Sequence, residues 1–300
     1  MGLQIYTLKF DNTHFGAGTL SSSEFSFSAS RLFSALYLEA IKINKEADFL
    51  KQASQKDFVL SDALPYVDGT FFLPKPIGYP NYSEHKQKVS RAMRRKAKAS
   101  KKLQYIPWTF LDEYLSGQSE IEKISDKQKS MFSVQYVTKK GKDPYEVAVT
   151  SLKCLLYVIA PQNKLLDQLM ELLQYSGLGG ERSSGYGHFT LGSVDLPQQF
   201  SNRLQVIGSG KLTMLLSTSL PREDELKLSM EGAKYLLKKE SGFAYSESTS
   251  NLLRKQDAYK FIAGSTFINS YQGSIVDVRP EKFPHPVWNY SKGLFYQLNR

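Results

Sequence analysis

Residues 177–187 read Gly-Leu-Gly-Gly-Glu-Arg-Ser-Ser-Gly-Tyr-Gly, and a stretch this rich in glycine is a loop whose backbone can turn through conformations closed to other residues. Its flanks say what it joins. Asn163 stands where a helix cap belongs, ahead of Leu165, Leu166, Leu169, Met170, Leu172 and Leu173 at 3.6-residue spacing, and Gly177 falls at the C-terminal cap position. Phe189, Leu191 and Val194 read as a strand interrupted by Gly192. Before the helix, Leu152–Ala160 is a nearly continuous apolar run of strand length ended by Pro161. The unit is strand, helix, glycine loop, strand.

A matching unit opens the chain. Leu3–Phe10 is apolar on both faces, as a central strand is, and Ser28–Ile43 reads as a helix with Leu32, Leu36, Ala40 and Ile43 on one stripe. Between them lies a second glycine-bearing turn, His14-Phe15-Gly16-Ala17-Gly18. A β-α-β start and a β-α-β finish with a long stretch between them predict an α+β class: the split βαβ of a ferredoxin-like fold carrying a large insertion. Both glycine turns then have a route to one surface. Further on, Leu212, Met214 and Leu216 alternate in one strand and Tyr259, Phe261 and Ala263 in another. Ile275–Val278 and Leu294–Leu298 supply two more, Lys234–Glu240 is weakly patterned, and polar and glycine residues cluster at 197–210 as a boundary.

Glycine-rich loops of this kind meet phosphate: without a Cβ wall, backbone N–H groups approach an anion closely, and Arg182, Ser183 and Ser184 add donors. Two nucleotide loops are excluded by spacing. A P-loop needs Lys and Ser/Thr after its last glycine, but Gly185 is followed by Tyr186 and Gly187. A dinucleotide fingerprint starting at Gly177 and Gly179 wants glycine where Arg182 stands, and it precedes its helix rather than following one.

The charge distribution names a better partner. The net charge is +10, and nine of those charges lie between Lys86 and Lys102: Lys86, Lys88, Arg91, Arg94, Arg95, Lys96, Lys98, Lys101 and Lys102, with no acidic residue among them. A polyanion explains both this run and the loop, whereas a mononucleotide explains only the loop. Tyr79, Tyr82, Tyr105 and Trp108 flank the run, as base-stacking platforms or as core packing. With 41% hydrophobic residues, 18 Tyr and 18 Phe, the chain has the material for well-filled cores. It shows no apolar leader and no apolar run of membrane-spanning length, so a cytoplasmic protein is expected. One cysteine, Cys154, reads as a small core residue, and four scattered histidines give no zinc-ligand spacing, so neither metal nor cofactor is expected.

The loop GLGGERSSGYGHF resembles the glycine-rich signature of the RAMP superfamily of CRISPR-associated RNA-binding proteins. His14-Phe15-Gly16-Ala17-Gly18, followed by Ser30-Arg31-Leu32-Phe33-Ser34-Ala35-Leu36, resembles one branch, the subunit that holds the 5′ tag of the guide RNA (crRNA) in type III-A (Csm) effector complexes. Pro284-His285-Pro286-Val287-Trp288 with Gly293 fits that branch too. The resemblance implies tandem ferredoxin-like (RRM-like) domains, 1–200 and 205–300, with an insertion at about 74–142 carrying the basic run. It implies a subunit without catalytic residues. Amides at Gly179, Gly180, Gly185 and Gly187, with Arg182 and Ser183, would hold RNA phosphates in a loop completed by Gly177, Ser184 and Tyr186. His14, Gly16 and Arg31 would shape the neighbouring edge, and Lys88, Arg91, Arg94, Arg95, Lys96 and Lys98 would extend the contact. Implied partners are the crRNA, the large Palm-domain subunit and the backbone RAMP subunits, with target RNA nearby. Two other functions stay open: a metal-independent repeat-RNA endoribonuclease using His14 as general acid/base, and a single-strand RNA binder outside CRISPR.

Overall fold

The computed structural model describes residues 2–80, 98–117, 121–140, 144–205, 209–244, 246 and 252–299. Lys86, Lys88, Arg91, Arg94, Arg95 and Lys96 of the basic run, and Tyr82, lie outside these residues.

Leu3–Phe10 is a central strand, antiparallel to Leu155–Pro161 on one side and Phe189–Val194 on the other. Leu64–Val67, Thr70–Pro74 and Tyr105–Pro107 extend the sheet to six strands beyond Leu155–Pro161. The two-residue period of a strand explains why its sequence carries apolar residues on both faces. Tyr6, Leu8 and Phe10 face the helices Ala29–Lys42 and Lys164–Ser176, meeting Leu32, Phe33, Leu36, Leu166, Leu169 and Leu173. Ile5 points the other way, into a second core with Tyr157, Ile159, Met214, Leu216 and Tyr296. That second core belongs equally to a four-stranded sheet of the C-terminal half, ordered Leu204–Gln205, Phe295–Gln297, Ser209–Leu215 and Thr266–Asn269. The chain is thus a mixed α+β fold with several sheets.

Local signals in the sequence translate into local structure. Asn163 caps its helix, Oδ1 accepting from the Leu166 N–H at 3.0 Å, while Nδ2 donates to Gln52 Oε1 at 2.7 Å. Asn163→Ala should cost about 1 kcal/mol, read as a lowered denaturant midpoint at unchanged slope. Gly192 sits opposite Thr7, where a Cβ would come within 2.8 Å of Thr7 Oγ1. The apolar run Leu152–Ala160 is not one strand. Tyr145–Leu152 ends at a bend over Lys153 and Cys154, and Leu155–Pro161 begins after it. Hydrophobicity alone does not mark that break, because both strands are apolar. Cys154 is therefore half-buried in a bend, and burial raises its thiol to about 12. Lys234–Glu240 contains a strand, Leu237–Glu240, paired with Ala258–Phe261.

Three contacts between the halves matter for the site. Asp62, fully buried, accepts from the Ala29 N–H (2.8 Å), the Thr218 N–H (2.8 Å) and Thr218 Oγ1 (2.6 Å), joining the N-terminus of the first helix to the C-terminal half. Burial raises its carboxyl to about 6, against the pull of those hydrogen bonds. Glu240 reaches the same helix end, accepting from Ser30 Oγ at 2.8 Å, and is paired with the fully buried Lys260 at 2.9 Å. Lys292 donates from the C-terminal half to the Ala53 carbonyl at 3.0 Å.

Candidate nucleic-acid interface

The helix Lys164–Ser176 stops because Gly177 turns to φ 73° while its N–H donates to the Leu173 carbonyl at 2.8 Å. Gly179 takes φ 109°, and Glu181 and Gly185, at 55° and 87°, bracket a 3-10 turn, Arg182–Ser184. Two of the glycines are required by contact as well as by dihedral. A Cβ on Gly187 would lie 2.2 Å from the Leu178 carbonyl oxygen, and one on Gly179 2.7 Å from that of His14.

The loop is closed on its own backbone. Leu178 N–H donates to Gly187 (2.8 Å), Gly180 N–H to His14 (2.9 Å), Gly187 N–H to Asn12 (3.0 Å) and Gly185 N–H to Arg182 (3.0 Å). This corrects the expectation that the amides of Gly180, Gly185 and Gly187 face phosphate: a backbone donor already paired inside the protein has none left for a ligand. The glycines shape the loop instead, and its outward donors are side chains. Arg182 and Ser183 are exposed, and the Arg182 side chain makes no hydrogen bond or ion pair among the described residues. Ser184 accepts from Lys139 Nζ (2.9 Å), which also lies 3.5 Å from Glu181 and 5.6 Å from the centre of the Tyr186 ring.

The glycine turn near the N-terminus docks directly on this loop. His14 is buried, 4% exposed, and its Nδ1 donates to the Ala148 carbonyl at 2.8 Å, which leaves Nε2 as the acceptor in the neutral ring. Ala148 belongs to Tyr145–Leu152, paired in turn with Phe132–Lys139 and with Asn12–Thr13. Arg31, on the first turn of the helix Ala29–Lys42, donates from Nη2 to the Gly16 carbonyl at 2.9 Å. Its Nη1 is shielded from solvent and has no partner among the described residues.

The two glycine turns share one groove of about 580 Å³, lined among others by His14, Gly16, Arg31, Gly177, Gly179, Gly180 and Arg182. Ser183, Ser184, Gly185, Tyr186 and Gly187 belong to the loop but not to this lining. Lys98 is exposed on a helical turn, 98–102, and also lies outside it. Of the flanking aromatics, Tyr105 and Trp108 pack with the cores, and Tyr79 lies under Lys234 Nζ at 4.3 Å. Lys42 and Lys139 are cations that the sequence reading missed. Lys42 had a signal: it stands eleven residues after Arg31, three helical turns along the face that also carries Ala35 and Leu38. Lys42 also pairs with Glu39 at 2.7 Å, neutralising the groove's carboxylate. Among the described residues no helix is long and apolar enough to cross a membrane, and no cluster of His, Cys, Asp and Glu is placed to hold a metal ion.

Residues 208–298 match the family model of the CRISPR Csm4 C-terminal domain. The whole chain is 47% identical over 303 residues to the CRISPR-system protein Csm4 of Streptococcus thermophilus, covering 99% of each. It is 34% identical over 311 residues to Csm4 of Mycobacterium tuberculosis, covering 99% of this chain and 98% of that one. Its fold is similar to a chain of the crystal structure of the Csm3–Csm4 subcomplex of the type III-A CRISPR-Cas interference complex (TM-score 0.66, 21% identity, 99% and 100% covered). It is also similar to one in the Csm1–Csm4 cassette with pppApA (TM-score 0.61, 14% identity, 99% and 98% covered). With end-to-end identity of this size to curated relatives, the chain belongs to the Csm4 family of CRISPR proteins.

Proposed function

We propose that this protein is a non-catalytic RNA-binding subunit of a type III-A CRISPR effector complex, in which it holds the 5′ tag of the crRNA for antiviral defence. The observation that carries this reading is the convergence of two glycine turns, 159 residues or more apart in sequence, on one groove in which, among the described residues, Arg182 is unpaired and Arg31 Nη1 unpartnered. A guanidinium without a protein partner is suited to a bidentate phosphate contact. With the amides of Gly180, Gly185 and Gly187 occupied, the phosphate donors are Arg182, Ser183 and Arg31, and the basic run of Lys88 to Lys98 extends the contact along the strand.

On this reading residues 1–200 form a ferredoxin-like domain with an insertion at about 74–142, and 205–300 form the second. The strand order Phe189–Val194, Leu3–Phe10, Leu155–Pro161, Leu64–Val67 supports the first, with both long helices on one face. The strands around Ser209–Leu215 and the helix Glu223–Met230 support the second. The Csm1- and Csm3-containing structures of similar chains support contacts with a large Palm-domain subunit and with backbone RAMP subunits, target RNA passing nearby. Such a complex works in the cytoplasm.

His14 acts as a positioning residue here rather than as a general acid/base. Its Nδ1 is tied to Ala148 and its carbonyl to Gly180, so it joins hairpin, turn and loop. The test is binding of tagged crRNA to the assembled complex. Arg182→Ala should weaken it by about 1.5–3 kcal/mol while leaving the melting temperature unchanged, since the side chain holds no partner among the described residues. Unchanged affinity would refute the assignment of Arg182.

A further inference from the structure

Beside the glycine-loop groove lies a second one, of about 470 Å³, and the two share Gly16, Arg31 and Ser34 in their walls. Its far wall comes from the C-terminal half, with Lys238, Lys239 and Lys255. We propose that the RNA strand crosses Arg31 from the first groove into the second, so that its neighbouring phosphates are held by the C-terminal half. This extension rests on the reading of the first groove as an RNA site.

The second groove carries an excess of positive charge that the protein does not use. Its carboxylates are Glu24 and Glu240. Glu240 accepts from Ser28 and Ser30 through Oε1 and from Ser30, Lys260 and Asn289 through Oε2, and is therefore already saturated by the protein. Glu24 pairs with Lys238. Lys239 pairs with Asp257 at 2.8 Å, and Asp257 has a second partner in Arg254 at 3.0 Å. Lys255 has no acidic partner among the described residues. Exposed pairs such as Lys238–Glu24 and Lys239–Asp257 are worth little in water, so their lysines exchange readily onto a phosphate. Arg31 stands at the junction, with Nη2 held by Gly16 and Nη1 left without a partner.

The lining also decides what kind of occupant fits. Apart from Ala17 it consists of glycine, serine, asparagine and charged residues, with no large apolar side chain. A docked helix or a drug-like molecule needs an apolar floor, whereas a sugar-phosphate backbone needs cations and hydroxyls along an open track. Two contiguous grooves on one surface, the second of them polar, suit a strand longer than either.

The experiment uses the assembled complex and crRNAs with 4-thiouridine placed singly along the tag, irradiated and mapped by mass spectrometry. Crosslinks from adjacent tag positions are expected on two sets of peptides, one within 177–187 and one containing 238–241 or Lys255. The double variant Lys239→Ala with Lys255→Ala should lose the second set, keep the first, and bind tagged crRNA about fivefold to tenfold more weakly. Its log–log salt slope should fall by about 1.4, two phosphates at roughly 0.7 each. Crosslinks confined to 177–187, or a double variant indistinguishable from the parent, would overturn the extension and leave the first groove standing. Absence of crosslinks to 177–187 would remove the reading on which it rests.

Discussion

Gly187→Ala should be among the most damaging single methyl groups that can be added to this protein. The residue sits at φ 80°, where a side chain costs about 1 kcal/mol, and its Cβ would lie 2.2 Å from the Leu178 carbonyl oxygen, a backbone atom that cannot swing away. Relief requires breaking either the Leu178 N–H bond to Gly187 or the Gly187 N–H bond to Asn12. Strain plus one lost buried hydrogen bond comes to about 3 kcal/mol or more. Gly185→Ala is the internal control. It has a similar φ, 87°, but nothing within 4 Å of its Cβ, so only the dihedral cost of about 1 kcal/mol is expected. Denaturant titration of both variants separates the terms. Equal losses would mean that dihedral strain, and not close backbone approach, sets the glycine requirement. Because Asn12 is held by Gly187 and His14 by Gly180 of the same loop, Gly187→Ala should also lose RNA binding, beyond what its stability loss explains.

Lys260→Met is expected to cost about 3 kcal/mol, because it strands the Glu240 carboxylate in a largely buried position. Burial alone would push that carboxyl up, but the Lys260 charge, with hydrogen bonds from Lys260, Ser30 and Asn289, outweighs it and holds it below the usual carboxylate range. Burial likewise pulls Lys260 below its ordinary value, opposed by Glu240. The direction for Glu240 fixes the pH dependence. A folded-state value below the unfolded one stabilises the protein above the unfolded carboxylate range, near pH 4.5, and that stability is lost as pH falls through the folded value. Wild type should therefore lose this contribution on acidification, while Glu240→Gln should show a shallower acid limb. Adding Glu240→Gln to Lys260→Met should recover part of the loss at pH 7, since no buried charge then stands alone. If the double variant were no more stable than Lys260→Met, charge burial would not be the source of the cost. Glu240 also holds Ser28 and Ser30 at the start of the Arg31 helix, so both variants should loosen the junction between the grooves.

The helix ending at Gly177, its Asn163 cap, the doubly apolar first strand and the phosphate-type side chains of the loop were all legible in the sequence. Each is written in residues a few positions apart: 3.6-residue and two-residue periods, a capping side chain three residues from its N–H, glycines at left-handed positions. The break at Lys153–Cys154 was not, because two apolar strands joined by a bend read like one. Nor was the loss of the loop amides as phosphate donors. For Gly180 and Gly187 the acceptors are the carbonyls of His14 and Asn12, more than 160 residues away, and no local pattern announces that such a partner exists.

Cation placement divides in the same way. Local spacing put Arg182 in the loop and marked Lys42 on the face of Arg31, whereas Lys238, Lys239 and Lys255 come to the second groove only because the C-terminal sheet packs on Ile5, Tyr157 and Ile159. The residues of this chain thus specify its helices, strands and glycine turns through short-range hydrogen bonding and periodic burial. Which of those turns meet and which amides are occupied follow from the pairing of Leu3–Phe10 with Phe189–Val194, and where the second wall of basic residues stands follows from the burial of two sheets against each other, both contacts between residues far apart in the chain.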